Sequence, residues 1–381
     1  MAYFDNAATT FPKPESVYSY MDVFYRQFGV NAGRGHYALA QTAATLIADT
    51  RERLRALLHC PAKQVVFTPT ATIALNIILQ GLIEQGSRQI YISPFEHNAV
   101  TRVLHHYEEL GKISVHKLSV SPQMEYEVEK IKYQFEKVKP DLVIISHASN
   151  VFGLIAPIEQ IFTLAKRYEA MTIADMSQTA GLIDCNVGLE VFDFAVFAGH
   201  KTLYGPTGIS GFVMKPDIKL TPVLFGGTGF ESANQNMPES LPERFEMGTL
   251  NIVGIAGLNA ALQWLQEMTL KTIIEKEMTH REMLISILER YDFIKIVGNY
   301  SCNQYVGVVS CLIDGISSDS AGSIFDRCNI SVRTGLHCAP LAHQFMGTYP
   351  AGTVRFSIGY FTSDEDFEQL ECALDYIEDN L

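Results

Sequence analysis

The sequence has little that would staple a fold together from outside its core. Its 7 cysteines, Cys60, Cys185, Cys302, Cys311, Cys328, Cys338 and Cys372, are odd in number, scattered and never spaced as CxxC. That pattern argues against a disulfide framework and against a zinc site, and no metal is expected. Basic residues are also scarce. Lys and Arg number 29 against 42 Asp and Glu, a formal net charge of -13, so neither nucleic acid nor an anionic membrane surface is expected as the main partner, since both call for clustered cations. No uninterrupted apolar run approaches bilayer-spanning length, and the opening MAYFDNAATTFPKPESVY has no basic start followed by an apolar stretch. A cytoplasmic protein is the expectation, in a reducing compartment where a thiol stays free. A GxxxxGK[ST] loop is missing, which argues against a nucleoside triphosphate.

What is present is enough apolar sequence for a large core. The 381 residues are 47% hydrophobic and 19% charged, which suits one large domain and a smaller one. Short β-rich runs (QVVFTP, QIYISP, DLVIISHAS, MTIADMS, FDFAVFAGH, GISGFVM) alternate with helical stretches such as TATIALNIILQGLI and IEQIFTLAKRYEA. Near-continuous apolar strands separated by helices predict an α/β fold with a mostly parallel sheet covered on both faces. A polar, glycine-rich stretch, FGGTGFESANQNMPESLPERFEMGTLN, reads as a long loop. Helix follows from about Gly254 to Leu288. Short strand signals (GVVSCLI, ISVRT, TVRFSIG) and a last helix with Phe367, Leu370, Leu374 and Ile377 on one face then suggest a small α+β domain. The expected division is residues 15–255 for the large domain and 256–381, with 1–14, for the small one.

In open α/β sheets ligands bind at the carboxyl ends of the strands. Polar residues follow five of the expected strands: Thr68 to Thr72; Glu96 and His97; His147, Ser149 and Asn150; Asp175, Ser177 and Gln178; His200 and Lys201. Each alone reads as a helix cap or turn former. Together they describe one pocket. Thr70, Ala71 and Thr72 open a helix, whose free N–H groups suit a single phosphate. Lys201 lies between an apolar strand and a glycine-rich turn, where desolvation favours the neutral amine of imine chemistry. Asp175 suits a protonated ring nitrogen, and His97 could lie flat on an aromatic ring. Phosphate, lysine, acid and stacking ring together point to pyridoxal 5'-phosphate. For Cys338, in SVRTGLHCAPLAH, spacing alone leaves nucleophile, ligand and core filling open.

The motifs YFDNAATT, GRGHYALA, FTPTATIALN, EHNAV, HASNVFG, DMSQTAG, GHKTLYGPTG, FEMGTLN, RTGLHCAP and TVRFSIGYF follow one another along essentially the whole chain. In this order they resemble the cysteine desulfurase and selenocysteine lyase branch of the class V aminotransferase-like, fold type I pyridoxal phosphate enzymes. The resemblance implies that Lys201 bears the cofactor, Asp175 pairs with its ring nitrogen, His97 stacks, Gln178 lies near the ring oxygen and Asn150 near the ring or the substrate carboxylate. Ala71, Thr72 and His200 fall at the phosphate. Thr249 matches a position that reaches the phosphate of a neighbouring subunit, which implies a homodimer. Arg355 resembles the arginine that grips the substrate carboxylate, with His36 and Arg333 as further substrate-side candidates. Ala198 departs from the pattern, which often has a hydroxyl donor there. The implied reaction converts L-cysteine to L-alanine and leaves the sulfur on Cys338 as a persulfide for an acceptor protein. Selenocysteine or C–S lysis, another class V reaction such as transamination, and a catalytically silent scaffold are the alternatives.

Overall fold

The computed structural model describes residues 1–32, 35, 37–231 and 233–380. His36 therefore lies outside the described residues. The chain opens on β1 (Ala2–Tyr3), α1 (Glu15–Phe28) and α2 (Ala38–Leu57). Strands and helices then alternate as β2 (Gln64–Thr68), α3 (Ala71–Glu84), β3 (Gln89–Ile92), α4 (Asn98–Glu109), β4 (Ser114–Lys117), α5 (Val128–Lys137), β5 (Leu142–Ser146), α6 (Ile158–Lys166) and β6 (Met171–Asp175). Strands β7 (Phe194–Ala198) and β8 (Ser210–Met214) close this run. Beyond an irregular stretch come α7 (Ile252–Met268), α8 (Leu270–Leu288), β9 (Ile294–Val297), β10 (Val308–Ile313), α9 (Ser318–Arg327), β11 (Ile330–Ser331), β12 (Arg333–Gly335), α10 (Pro340–Met346), β13 (Thr353–Ser357) and α11 (Asp364–Asp379).

Seven strands form the main sheet in the order β2-β8-β7-β6-β5-β3-β4. Only β8 runs against its neighbours, so β2, β3, β5, β6 and β7 all end at one edge. Apart from the edge strand β4, the strands are mainly apolar because both faces are covered. Val143 and Ile145 of β5 join one core layer, with residues of α2, α6 and α7, while Leu142 and Ile144 join the other, with α3 and α4. This period-two division is the pleat expressed in packing. The helical stretch expected as one piece is two helices. Thr269 breaks it with φ 64, and its side chain caps α8 by accepting from Thr272 N–H.

The second sheet, β12-β13-β10-β9, is antiparallel. Its core joins Val309, Val354 and Phe356 to Leu284 of α8, Phe325 of α9 and Leu370 of α11. The N-terminus belongs to this region, since β1 pairs in parallel with β11 and Asp5 bridges to Ser357. The boundary expected at residue 255 falls within α7, which packs mainly on α1 and α2 and also meets α8. Among the described residues no helix is long and apolar enough to cross a membrane.

Candidate active site

The five strand ends converge on a cavity of about 350 Å³. From β2 and α3 come Ala71 and Thr72. The loop before α4 supplies His97, and Asn150, Asp175 and Gln178 follow β5 and β6. His200 and Lys201 stand just past β7, while the small sheet contributes Arg333 and Arg355 and the turn after β12 contributes Cys338. Of the residues singled out from sequence, Thr249 is elsewhere. It is exposed and lines a separate cavity with Arg51, Phe230 and Glu246. Glu96 and His147 also turn away from the pocket. Glu96 is buried behind it, accepting from Ser93 and from the backbone and hydroxyl of Ser146. His147 pairs its Nδ1 with the Thr179 hydroxyl.

At one end of the pocket the donors are neutral. Thr70 caps α3 by accepting from Ile73 N–H, and the N–H groups of Ala71 and Thr72 have no partner among the described residues. Nδ1 of His200 is likewise buried without a partner. Burial, then Lys201 and Lys13, hold the His200 imidazole down at about 4, so it is neutral near pH 7. Gly199, just before it, packs so closely on the residue preceding β8 that a Cβ there would collide with the Ile209 carbonyl oxygen. Ala198 lines the pocket where a hydroxyl would be a further donor.

The middle of the pocket holds the reactive pair. Burial lowers the Lys201 amine to about 8, and Asp175 opposes the shift by favouring the charged form. Asp175 uses Oδ1 to accept from the Ser177 N–H at 3.0 Å and the Ser177 hydroxyl at 2.6 Å. Its other oxygen has no protein donor among the described residues. His97 caps α4, with Nδ1 accepting from Ala99 N–H at 3.0 Å. The proton of the neutral ring is therefore on Nε2, and burial followed by Lys201 disfavours the charged form. Gln178 is held from behind by its Nε2 bond to the Ala7 carbonyl.

At the other end sit Arg333, Arg355 and Cys338. Arg355 is buried, donating from Nη1 to the Asn150 carbonyl at 2.9 Å and from Nη2 to Asp5 Oδ1 at 2.7 Å. Arg333 reaches the same carboxylate through Nε at 3.1 Å and Nη2 at 3.0 Å. Asp5 was not singled out from sequence, although it stands in YFDNAATT. Cys338 is exposed, so it is not core filling, and among the described residues no group of three or more His, Cys, Asp and Glu side chains is placed to hold a metal ion. Cys338 sits on a turn where His337 and Cys338 both have positive φ, 48 and 57. The His337 carbonyl accepts from Asn150 Nδ2 at 2.7 Å, and the Cys338 carbonyl from Asn98 N–H at 2.6 Å. The thiol borders a second, outer groove between α3 and α4 that includes Asn76 and Arg102. His337 cannot be the cation beside the thiol, because burial and then Arg355 hold it down at about 2. Arg333, Arg355 and Lys201 are the charged neighbours instead.

A lysine, an acid with one open oxygen, a neutral anion cradle and an exposed thiol thus share one cavity. Residues 2–370 match the family model for aminotransferase class-V. The chain belongs to that family. Among class V relatives, the probable cysteine desulfurase of Pyrococcus abyssi is 30% identical over 379 residues, covering 96% of this chain and 91% of that protein. The probable cysteine desulfurase of Methanothermobacter thermautotrophicus is 28% identical, covering 98% of this chain and 94% of that one. The apo structure of cysteine desulfurase from Thermococcus onnurineus NA1 superposes with a TM-score of 0.91 at 27% identity, covering 100% of this chain and 95% of that one. The central sheet and its flanking helices are thus the class V, fold type I arrangement.

Proposed function

We propose that this class V chain is a pyridoxal phosphate-dependent cysteine desulfurase, converting L-cysteine to L-alanine and taking the sulfur onto Cys338 as a persulfide. The observation that carries the reading is that Lys201, Asp175, Arg355 and Cys338 line one cavity. The cavity fits the cofactor on its own chemistry. The orphaned His200 Nδ1 and the open N–H groups of α3 suit a phosphate, and the free oxygen of Asp175 suits a ring N–H. Ala71, Thr72 and His200 would hold the phosphate, Asp175 the ring nitrogen, His97 the ring face and Gln178 the ring oxygen. When bound, pyridoxal phosphate supplies an electron sink for the substrate's Cα.

The chain's own residues perform the rest. Arg355 binds the substrate carboxylate with the N–H groups that Asp5 and Asn150 leave open. Lys201 Nζ removes the Cα proton. An amine at about 8 is partly neutral near pH 7, which general base catalysis needs. Cys338 Sγ, as thiolate, then forms the S–S bond as the substrate Cβ–S bond breaks, and alanine leaves after reprotonation. The persulfide awaits an acceptor protein.

The same reading makes the protein a homodimer, with Thr249 reaching the phosphate site of a second copy. Its place outside this chain's own pocket supports that, as do exposed Leu224, Phe225 and Phe230 in the same irregular stretch. Light scattering should give twice the chain mass; the single chain mass would refute the dimer.

The activity is tested by incubating the holoenzyme with L-cysteine and measuring alanine, sulfide and a Cys338 persulfide together. Cys338→Ala should abolish the persulfide and cut alanine formation at least about tenfold. Alanine produced at the wild-type rate by this variant would overturn the persulfide step while leaving the cofactor chemistry standing.

A further inference from the structure

Lys13 is a cation without an acid. It stands between Pro12 and Pro14, its Nζ donates to the His200 carbonyl at 2.7 Å, and no carboxylate pairs with it among the described residues. Thr9 Oγ1 and Thr10 N–H also donate to the His200 carbonyl, each at 3.1 Å, and Thr10 Oγ1 donates to the Lys201 carbonyl at 2.8 Å. Two donors already fill the lone pairs of one carbonyl oxygen. The ammonium is therefore a third donor that this oxygen does not require. Lys13 is partly buried, and burial lowers its amine to about 8, so keeping the proton has a cost that no protein anion offsets.

The pocket has the opposite imbalance. Among the described residues, the cations lining it are Lys201, whose amine the cofactor takes, and Arg333 and Arg355, which share Asp5 at the far end. The cradle of Ala71, Thr72 and His200 offers neutral donors alone. Lys13 does not line the cavity, but its charge is felt at the His200 imidazole. We propose that Lys13 is the counter-charge of the anion held at this cradle, acting from behind the His200 peptide and so favouring a phosphorylated cofactor over its unphosphorylated form. The proposal rests on the reading of this end as the phosphate site. A charge set behind the wall acts through protein, where attraction is less damped than through water. Thr9 and Thr10 fix the segment that carries it.

The test titrates the full chain, freed of cofactor, with pyridoxal phosphate and with pyridoxal near neutral pH, following the absorbance of the bound aldehyde. Lys13→Met should weaken pyridoxal phosphate roughly tenfold more than pyridoxal, the size expected for one partly screened charge. Lys13→Arg keeps the charge and should hold the ratio within about threefold of wild type. A backbone clamp and nothing more predicts equal loss of both aldehydes in Lys13→Met, and that result overturns the proposal. The wild type supplies a second measurement should the variant not fold. A bound phosphate raises the Lys13 pKa, so the preference for pyridoxal phosphate is full below about 8 and declines as pH rises beyond it. Lys201 and Tyr18, whose hydroxyl accepts the Lys13 N–H, are common to both aldehydes, and His200, at about 4, is already neutral. A preference that stays constant from about pH 7 to about pH 10 also overturns the proposal. Binding of neither aldehyde refutes the cofactor reading and the proposal with it, whereas a wild-type ratio in Lys13→Met counts against Lys13 alone.

Discussion

The two ends of the pocket are built by opposite means. The anion-cradling end is local and neutral, made at single strand-to-helix junctions from backbone N–H groups of α3 and an uncharged His200. The arginine end is assembled from residues 5, 150, 333 and 355, and it is charged: Asp5 and Arg355 are largely buried, and Arg333 is half exposed. A neutral cradle loses one weak donor at a time. A charge cluster fails as a unit, because removing one member strands another in low dielectric.

The sharpest break in that contrast is Arg355→Leu. It leaves Asp5 with only the half-exposed Arg333, and the expected cost is about 3 kcal/mol of stability, read as a lower urea midpoint, together with loss of carboxylate binding. A buried acid away from both ends serves as the control. Burial raises Glu277, on α8, to about 8, partly offset by the hydrogen bond from Tyr204. A carboxyl whose folded pKa is raised contributes stability that is full below the ordinary carboxyl range and is lost as pH rises through about 8. Unfolding measured between pH 5 and pH 8.5 should therefore show a decline of about 2 to 4 kcal/mol from this group, at about 1.4 kcal/mol per pH unit. Glu277→Gln should flatten it, and an unchanged slope would show that another group is responsible. Thr70→Ala, which uncaps α3, is expected to cost about 1 kcal/mol and to weaken cofactor retention severalfold, seen by dialysis and absorbance. The smallest effect should come from Ala198→Ser. A hydroxyl added to the neutral end is expected to tighten cofactor binding by about 1 kcal/mol or less, and a titration that shows no gain would mean the hydroxyl does not reach the phosphate.

The same contrast explains what could be read in advance. The strands of the main sheet and their polar ends were legible because each is a local pattern, an apolar run followed by a cap, and a parallel sheet brings the ends together. Edge strand β4 (SVHK) escaped because its burial is partial and its composition polar. Strand β9 is as short and half covered. The break between α7 and α8 was hidden because threonine gives no strong signal for a positive φ. Glu96 and His147 were expected in the pocket on position alone, but side chains next to each other on a turn point different ways, and both found buried hydrogen-bond partners behind the sheet. Asp5 was invisible for the opposite reason. Its partners lie more than 300 residues away in the chain, and no local pattern announces such a contact. His337 is adjacent to Cys338 in sequence, but burial keeps its imidazole from being the cation there.

The Cys338 turn leaves the small sheet after β12 and is tied by its carbonyls to Asn150 and Asn98, both of which follow strands of the main sheet. It is a stitch between the two sheets, drawn through two residues held at positive φ. Any opening of one sheet from the other must slacken that stitch. The rate at which the Asn98 amide, which donates to the Cys338 carbonyl, exchanges its proton with solvent therefore becomes a gauge of how often the two halves of the molecule part, a local clock for breathing motions far larger than the bond that records them.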